Sequence, residues 1–244
     1  MAIYLVVFNG SLELTGSLGR KRLSHPAILA DAKRRKKNPA LLLLDMAVHH
    51  SSMTPEELTS KGRPDIIHNL MLQFHFSLLN TDCQEQENGL EAPNSQKLIR
   101  MFIHTPEDLV FEVPPGWRIP VSYLRFRGLI EELLRDGMLE TPPIVIRRKS
   151  IEELLAEFSA KEVVLFTSTG NLMDWNQATV EIAETKAYQG SNIVWLIGGY
   201  QRGLAPPIIE RIATKRLSIA PFTLPAWKVL ATLITLTELA LRRN

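Results

Sequence analysis

Cysteine is nearly absent: Cys83 stands alone among 244 residues, which excludes an internal disulfide and leaves no thiolate cluster for zinc. Long apolar runs are missing too. The longest stretch without Asp, Glu, Lys or Arg runs from Ile66 to Thr81 and carries His68, Asn69, Gln73 and His75, so no transmembrane helix is expected. The opening MAIYLVVFNG has no basic lead-in and no small-residue cleavage site; it reads as a buried strand rather than an export signal, and a reducing cytoplasm is the expected location. Phosphate-cradling signatures are also lacking. GxxxxGK[ST] does not occur, and Gly198, Gly199 and Gly203 do not make GxGxxG.

The composition is that of an ordinary globular protein, with 45% hydrophobic and 22% charged residues, which excludes disordered and fibrous classes. Net charge is only +2, but it is unevenly spread. Residues 20–37 hold eight basic residues (Arg20, Lys21, Arg22, Lys33, Arg34, Arg35, Lys36, Lys37) against one acid, Asp31. That segment is therefore +7 and the remainder −5. A solvated helix or loop face explains such a run as readily as phosphate neutralisation does.

Apolar strings flanked by turn residues predict strands at Ile3–Phe8, Ala40–Asp45, Leu98–His104, Leu109–Val113, Ile144–Arg147, Val163–Phe166 and Ile193–Ile197. Helical spacing predicts Pro64–Leu79, Ser122–Asp136, Ser150–Phe158 and a terminal helix from Pro225 to about Arg242. The alternation implies an α/β sheet with parallel pairs. Asp82–Gln96 is polar and reads as an exposed loop. In the Pro64 helix, Ile67, Leu70, Met71, Phe74 and Leu78 define one buried stripe. Pro64 suits the first helical position, and Asp65 lies near the positive end of the helix dipole. His68 and His75 flank the stripe, and no metal motif completes them.

Three loops punctuated by glycine or proline lie toward the C-terminus: Thr167–Gly170, Gly198–Gly203 and Leu217–Pro225. Ligands of open α/β sheets bind at the carboxyl ends of strands, where these loops fall. Their glycines permit close backbone approach to a flat uncharged ring such as adenine. Each is equally compatible with being a simple turn.

Two strings are more specific. Lys61-Gly-Arg-Pro-Asp-Ile-Ile-His68 and Arg118-Ile-Pro-Val-Ser-Tyr-Leu-Arg125-Phe-Arg127-Gly-Leu-Ile130, followed by the Gly198 and Leu217 loops, resemble in content and order the ribosome-biogenesis pseudouridine-N1-specific methyltransferases. That is the nucleolar essential protein family of the SPOUT superfamily, and the resemblance spans nearly the whole chain. It implies a SPOUT-type α/β knot over residues 1–244, a C-terminal trefoil knot, a homodimer, and no metal or membrane. The short start is more similar to archaeal members than to eukaryotic, nucleolar ones.

The resemblance further implies S-adenosylmethionine as methyl donor and a pseudouridine in a hairpin loop of small-subunit rRNA as acceptor. Arg63 and Asp65 are then the candidates at the target base. An aspartate is a weak base toward an imide-like N–H, so the implied roles are orientation by Asp65 and stabilisation of developing oxygen charge by Arg63. The implied cofactor contacts are Thr167, Gly198, Gly199, Gly203, Leu217, Ser218, Ile219, Ala220, Pro221 and Phe222. RNA contacts fall to Arg63, Arg118, Val121, Arg125 and Arg127, with residues 20–37 as a further basic surface. Val121 departs from the family pattern, in which a basic residue commonly stands; Arg127 or the run at 33–37 is the expected compensation. Two alternatives stay open: a non-catalytic RNA-binding assembly factor, and a knotted methyltransferase acting on another nucleotide.

Overall fold

The computed structural model describes residues 2–80, 99–114, 117–179 and 192–242. The expected loop Asp82–Gln96, with Cys83, lies outside them.

The strands are β1 (Ile3–Phe8), β2 (Ile99–His104), β3 (Leu109–Val113), β4 (Met138–Leu139), β5 (Ile144–Val145), β6 (Arg147–Arg148), β7 (Ala160–Leu172), β8 (Asn192–Gly198) and β9 (Lys215–Ser218). Seven of them form one sheet in the order β6-β3-β2-β1-β8-β7-β9. Its middle and one flank, β2-β1-β8-β7-β9, are parallel; β3 and β6 add an antiparallel edge. β4 and β5 form a separate antiparallel pair.

The helices are α1 (Arg20–Leu23), α2 (Pro26–Arg35), α3 (Met46–His49), α4 (Glu57–Ser60), α5 (Pro64–His75), α6 (Tyr123–Asp136), α7 (Ile151–Glu157), α8 (Pro207–Ile212) and α9 (Ala226–Arg242). Side chains alternate across a strand, so Leu5 and Val7 of β1 face one way and Val6 and Phe8 the other. Each face is capped by its own helices. Leu5, Val7, Met101, Ile103, Trp195 and Ile197 pack with α5 (Ile67, Leu70, Met71, Phe74), α6 (Phe126, Ile130, Leu133) and α9 (Leu230, Leu233, Ile234). Val6, Phe8, Phe102, Val194 and Leu196 pack with α7 (Ile151, Leu154) and α8 (Ile209). Continuous apolar strings are what a strand buried on both faces requires.

A smaller cluster of Leu18, Ile28, Ala32, Leu42, Leu44 and Met53 lies under the basic segment. Here the expectations need correction. Ala40–Asp45 is not a strand. Pro39–Leu41 forms a 3-10 turn, and only the isolated bridge Leu14↔Leu43 follows. Its leucines are apolar because both core clusters claim them, with Leu43 in the large one and Leu42 and Leu44 in the small one. Ile144–Arg147 splits between two sheets, β5 pairing with β4 and β6 with β3. The Pro64 helix ends at His75, not Leu79. Helices α2 and α8 and strand β9 were not expected.

No helix among the described residues is long and apolar enough to cross a membrane.

Candidate active site

The carboxyl ends of β7, β8 and β9 converge, as strand ends do in ligand-binding α/β sheets. A cleft of about 540 Å³ opens there, within the range that holds small-molecule ligands. Of the expected loop residues, Thr167, Gly198, Gly203, Ser218, Ile219, Ala220 and Phe222 line it. Gly199, Leu217 and Pro221 belong to its supports. The Gly199 N–H donates to the Phe8 carbonyl (2.8 Å), its own carbonyl accepts from Ser11 N (3.1 Å), and a Cβ there would meet Val7 Cγ1 at 2.7 Å and Ile67 Cδ1 at 2.8 Å. Leu217 pairs within β9 against Phe166 and Asn171 of β7, and Pro221 is exposed on the outer turn.

The Thr167–Gly170 segment is an excursion inside β7, because the register against β9 jumps from Phe166 to Asn171 while Leu217 is the partner of both. Gly170 makes this possible: a Cβ would stand 2.6–2.8 Å from Leu217 backbone atoms, closer than any side chain allows. The β9 loop is held by Trp175 Nε1 donating to the Ile219 carbonyl (3.2 Å) and Ser218 Oγ donating to the Ala220 carbonyl (2.6 Å).

Sequence reasoning missed Gln201 and Trp227, which also line the cleft. Trp227, the second residue of α9, is the available signal: a large aromatic two positions after Pro225. Trp195 has a different role; it is buried and meets Phe166 edge-on at 5.9 Å. Gln201 Oε1 is buried and has no hydrogen-bond partner among the described residues. Such an acceptor is costly to leave alone, and a ligand donor in the cleft can satisfy it. Tyr200, beside it, has its phenol pushed up to about 12 by burial and by the nearby Glu210 carboxylate, so it stays neutral.

Arg63 lines the same cleft. Arg63 is the N-cap of α5, and Pro64 occupies the first helical position, where its missing N–H costs nothing. The Arg63 backbone N–H donates to Ser11 Oγ (2.9 Å) and Gly62 N–H to Glu13 Oε2 (3.3 Å). Its guanidinium forks onto Asp65: Nε to Oδ1 and Nη2 to Oδ2, both at 2.7 Å. That hydrogen bonding raises the guanidinium's affinity for its proton. Asp65 is still 39% exposed on its side chain, and a carboxylate has about four lone-pair sites. Two accept from Arg63, so the pair can receive a donor from outside.

Helix α6 begins beside this pair. His68 Nε2 lies 2.7 Å from the Pro120 carbonyl, and its ring stacks on Phe126 at 4.4 Å. Burial lowers its proton affinity, so neutral His68 donates Nε2–H and pins the Arg118–Val121 turn to α5. Arg118, Val121 and Arg125 are exposed there.

Arg127 is not. The structure overturns its expected RNA contact: Arg127 is 2% exposed, with Nη2 3.1 Å from Asp31 Oδ2 and Nη1 3.7 Å from Asp45 Oδ2. Tyr123 Oη donates to Asp45 Oδ2 (2.8 Å). Neighbouring Glu131, 3% exposed, accepts from both Arg35 Nη atoms (2.5 and 2.7 Å), Lys37 Nζ (2.5 Å) and Leu43 N (2.9 Å). Charges with no room for hydration must be paired. Half of the basic run is paired to acids, although Arg34 and Lys37 stay exposed: Arg35 and Lys37 bind Glu131, Arg34 binds Asp31 (2.5 Å), and Arg22 binds Glu57. Arg20, Lys21, Lys33 and Lys36 are exposed.

Among the described residues, no cluster of three or more His, Cys, Asp or Glu groups could hold a metal ion.

Known proteins resemble this chain. Residues 88–238 match the EMG1/NEP1 methyltransferase family. The chain is 31% identical over 236 residues to the protein of Thermococcus onnurineus named ribosomal RNA small subunit methyltransferase Nep1, covering 95% of this chain and 96% of that one. The protein of the same name from Pyrobaculum aerophilum is 31% identical over 242 residues, 97% of each chain. The crystal structure of Archaeoglobus fulgidus Nep1 bound to S-adenosylhomocysteine superposes with a TM-score of 0.75 over 100% of both chains, at 24% identity, and so shares the fold. On the extent of these matches, the chain belongs to the EMG1/NEP1 methyltransferase family.

Proposed function

We propose that this protein methylates small-subunit rRNA, transferring the methyl group of S-adenosylmethionine to N1 of a pseudouridine in a hairpin loop. The observation that carries the proposal is the meeting of two features in one place. The Arg63–Asp65 pair, which can orient a base edge, stands on the wall of a cleft whose loops suit a flat ring. The names of the family relatives supply the rRNA.

The cleft residues fit the methyl donor. Gly198 and Gly203 keep its walls free of side chains, Ile219 and Leu224 offer apolar contact, and Gln201 Oε1 awaits a donor such as an exocyclic amine. When bound, S-adenosylmethionine supplies an electrophilic methyl group. The protein's task is then mainly to position the acceptor. Asp65 accepts from the ring N–H that pseudouridine has and uridine lacks at that position, which selects the base and turns N1 toward the cleft. Arg63 remains beside the carboxylate and stabilises negative charge growing on a base carbonyl as the N1 proton passes to solvent water and the electron pair it leaves on N1 forms the new N–C bond.

Arg118 and Arg125 hold the RNA strand at the rim, forking onto phosphate or stacking on splayed bases, and exposed Arg20, Lys21, Lys33 and Lys36 extend the basic surface. The proposal includes a homodimer, supported by the exposed apolar side chains Phe76 (63%) and Leu239 (47%). It also includes a trefoil knot in the C-terminal part of one 1–244 domain and work in an archaeal cytoplasm.

The test combines calorimetry with S-adenosylmethionine and tritiated methyl incorporation into small-subunit rRNA. Wild-type protein is expected to bind the donor and label the RNA; Asp65→Ala is expected to keep both affinities and lose the label. Absence of donor binding overturns the proposal. RNA binding that persists without it points to an assembly factor.

A further inference from the structure

Helix α6 turns toward solvent a strip that begins with apolar side chains. Val121, one residue before the N-cap Ser122, is 67% exposed, and Leu124 in the first turn is 73% exposed. Residues three and four apart share a helix face, so Val121, Leu124, Arg125 and Gly128 form one strip, with Glu132 a turn beyond. The opposite face of the helix is spent on the core through Phe126, Ile130 and Leu133. Two adjacent exposed apolar groups rimmed by polar ones offer a small apolar contact surface.

Gly128 is a second, independent observation. Glycine inside a helix costs about 1 kcal/mol relative to alanine, and here a Cβ would meet nothing within 4 Å. No neighbour within the described chain demands that residue. The glycine leaves the helix backbone open to close approach from outside.

The strip has a defined address. Pro120, just before it, is held to His68 of α5, and Tyr123 lies 5.7 Å from the same ring, so the strip borders the Arg63–Asp65 pair. Its flanks are basic: Arg118 on the turn and Arg125 on the helix are both exposed. A polyanion with apolar faces fits this combination, and unstacked bases of single-stranded RNA have those faces.

We infer that Val121, Leu124 and Gly128 seat one unstacked base and its sugar next to the target nucleotide, while Arg118 and Arg125 hold the flanking phosphates. This rests on the reading of the chain as an RNA methyltransferase. An apolar seat adds affinity that salt does not screen, whereas each phosphate contact on single-stranded RNA adds about 0.7 to the slope of log affinity against log salt. The two kinds of residue therefore separate experimentally.

The experiment uses full-length protein and a pseudouridine-containing small-subunit rRNA stem-loop, titrated at several potassium chloride concentrations. Leu124→Ser and Gly128→Leu are expected to weaken binding on the order of ten-fold with the salt slope unchanged. Arg125→Ala is expected to weaken it with a shallower slope. Gly128→Leu should melt no lower than wild type, and S-adenosylmethionine affinity should hold in both seat variants. If wild type methylates the stem-loop and both seat variants bind within two-fold of it, the seat is overturned and the methyltransferase reading stands. Loss of RNA binding that follows loss of a dimer in light scattering also overturns it, because the strip then serves a second copy of the chain. A wild type that leaves the stem-loop unmethylated removes both.

Discussion

Replacing Arg127 with methionine keeps most of the side chain's volume and deletes its charge. Asp31, whose carboxylate is fully buried, then loses a partner at 3.1 Å, and Asp45 loses one at 3.7 Å. Stripping one member from a buried ion pair costs roughly 3–5 kcal/mol, because the other charge is left without hydration. Asp31 retains Arg34 at 2.5 Å and Arg35 at 3.6 Å, which puts the expected loss near the lower end, about 3 kcal/mol. In a chain of this length that lowers the melting temperature by about 10 °C. Burial alone would raise the Asp31 carboxyl, but the Arg34 hydrogen bond and the charges of Arg127, Arg35 and His49 together hold it below the usual carboxylate range. Its contribution is therefore present above its unfolded pKa and is lost as pH falls through the depressed folded value. Arg127→Met should accordingly shift acid unfolding to higher pH. Urea unfolding and thermal melts measure the loss, and Asp31→Asn added to Arg127→Met should recover much of it. A variant as stable as wild type but weakened toward RNA would refute the buried role and restore Arg127 to the RNA surface.

Glu13 gives a pH dependence of opposite sign. Burial, reinforced by the Glu107 charge and opposed by the Gly62 hydrogen bond and Lys61, pushes its carboxyl up to about 7. A raised carboxyl favours the fold while protonated, so that stability is present at low pH and lost as pH rises from about 4.5 toward 7, by on the order of 3 kcal/mol. Glu13→Gln should flatten the slope in that window and be the more stable form at pH 8; an unchanged slope in urea titrations refutes the assignment. Gly170→Ala forces a Cβ into the Leu217 backbone and should cost about 1–3 kcal/mol together with most S-adenosylmethionine affinity in calorimetry; wild-type binding by this variant would show that the β7 excursion does not shape the cleft. Ser150→Ala removes one half of the capping box with Glu153 and should lower stability by about 1 kcal/mol without touching methylation, as paired melts and activity assays would show.

The legibility of the fold tracks two-sided burial. β1 and β3 have the bounds that their apolar strings predict, Ile3–Phe8 and Leu109–Val113, because a strand between two helical layers needs apolar residues at nearly every position. The same string misleads at Ala40–Asp45, where leucines serve two clusters without a pairing partner. Helix α2 has no legible apolar stripe because its buried residues are Ile28, Asp31 and Ala32, with a carboxylate at the centre whose partners include Arg127, 96 positions away. Arg127 was misplaced for the same reason. At the site, the Arg63–Asp65 string and the loop glycines could be read, since they are contiguous. The supporting place of Gly199 depends on contacts with Val7 and Phe8 of β1 and Ile67 of α5 that no local pattern encodes, and the unpartnered oxygen of Gln201 shows only in the folded chain.

The measurement closest to the central claim compares two stem-loop transcripts of small-subunit rRNA, identical except for pseudouridine or uridine at one position, each incubated with the protein and methyl-labelled S-adenosylmethionine and then digested to nucleosides. The account predicts label on N1 of pseudouridine alone, abolished by Asp65→Ala. Equal label on both transcripts, or label on another nucleotide, would contradict it.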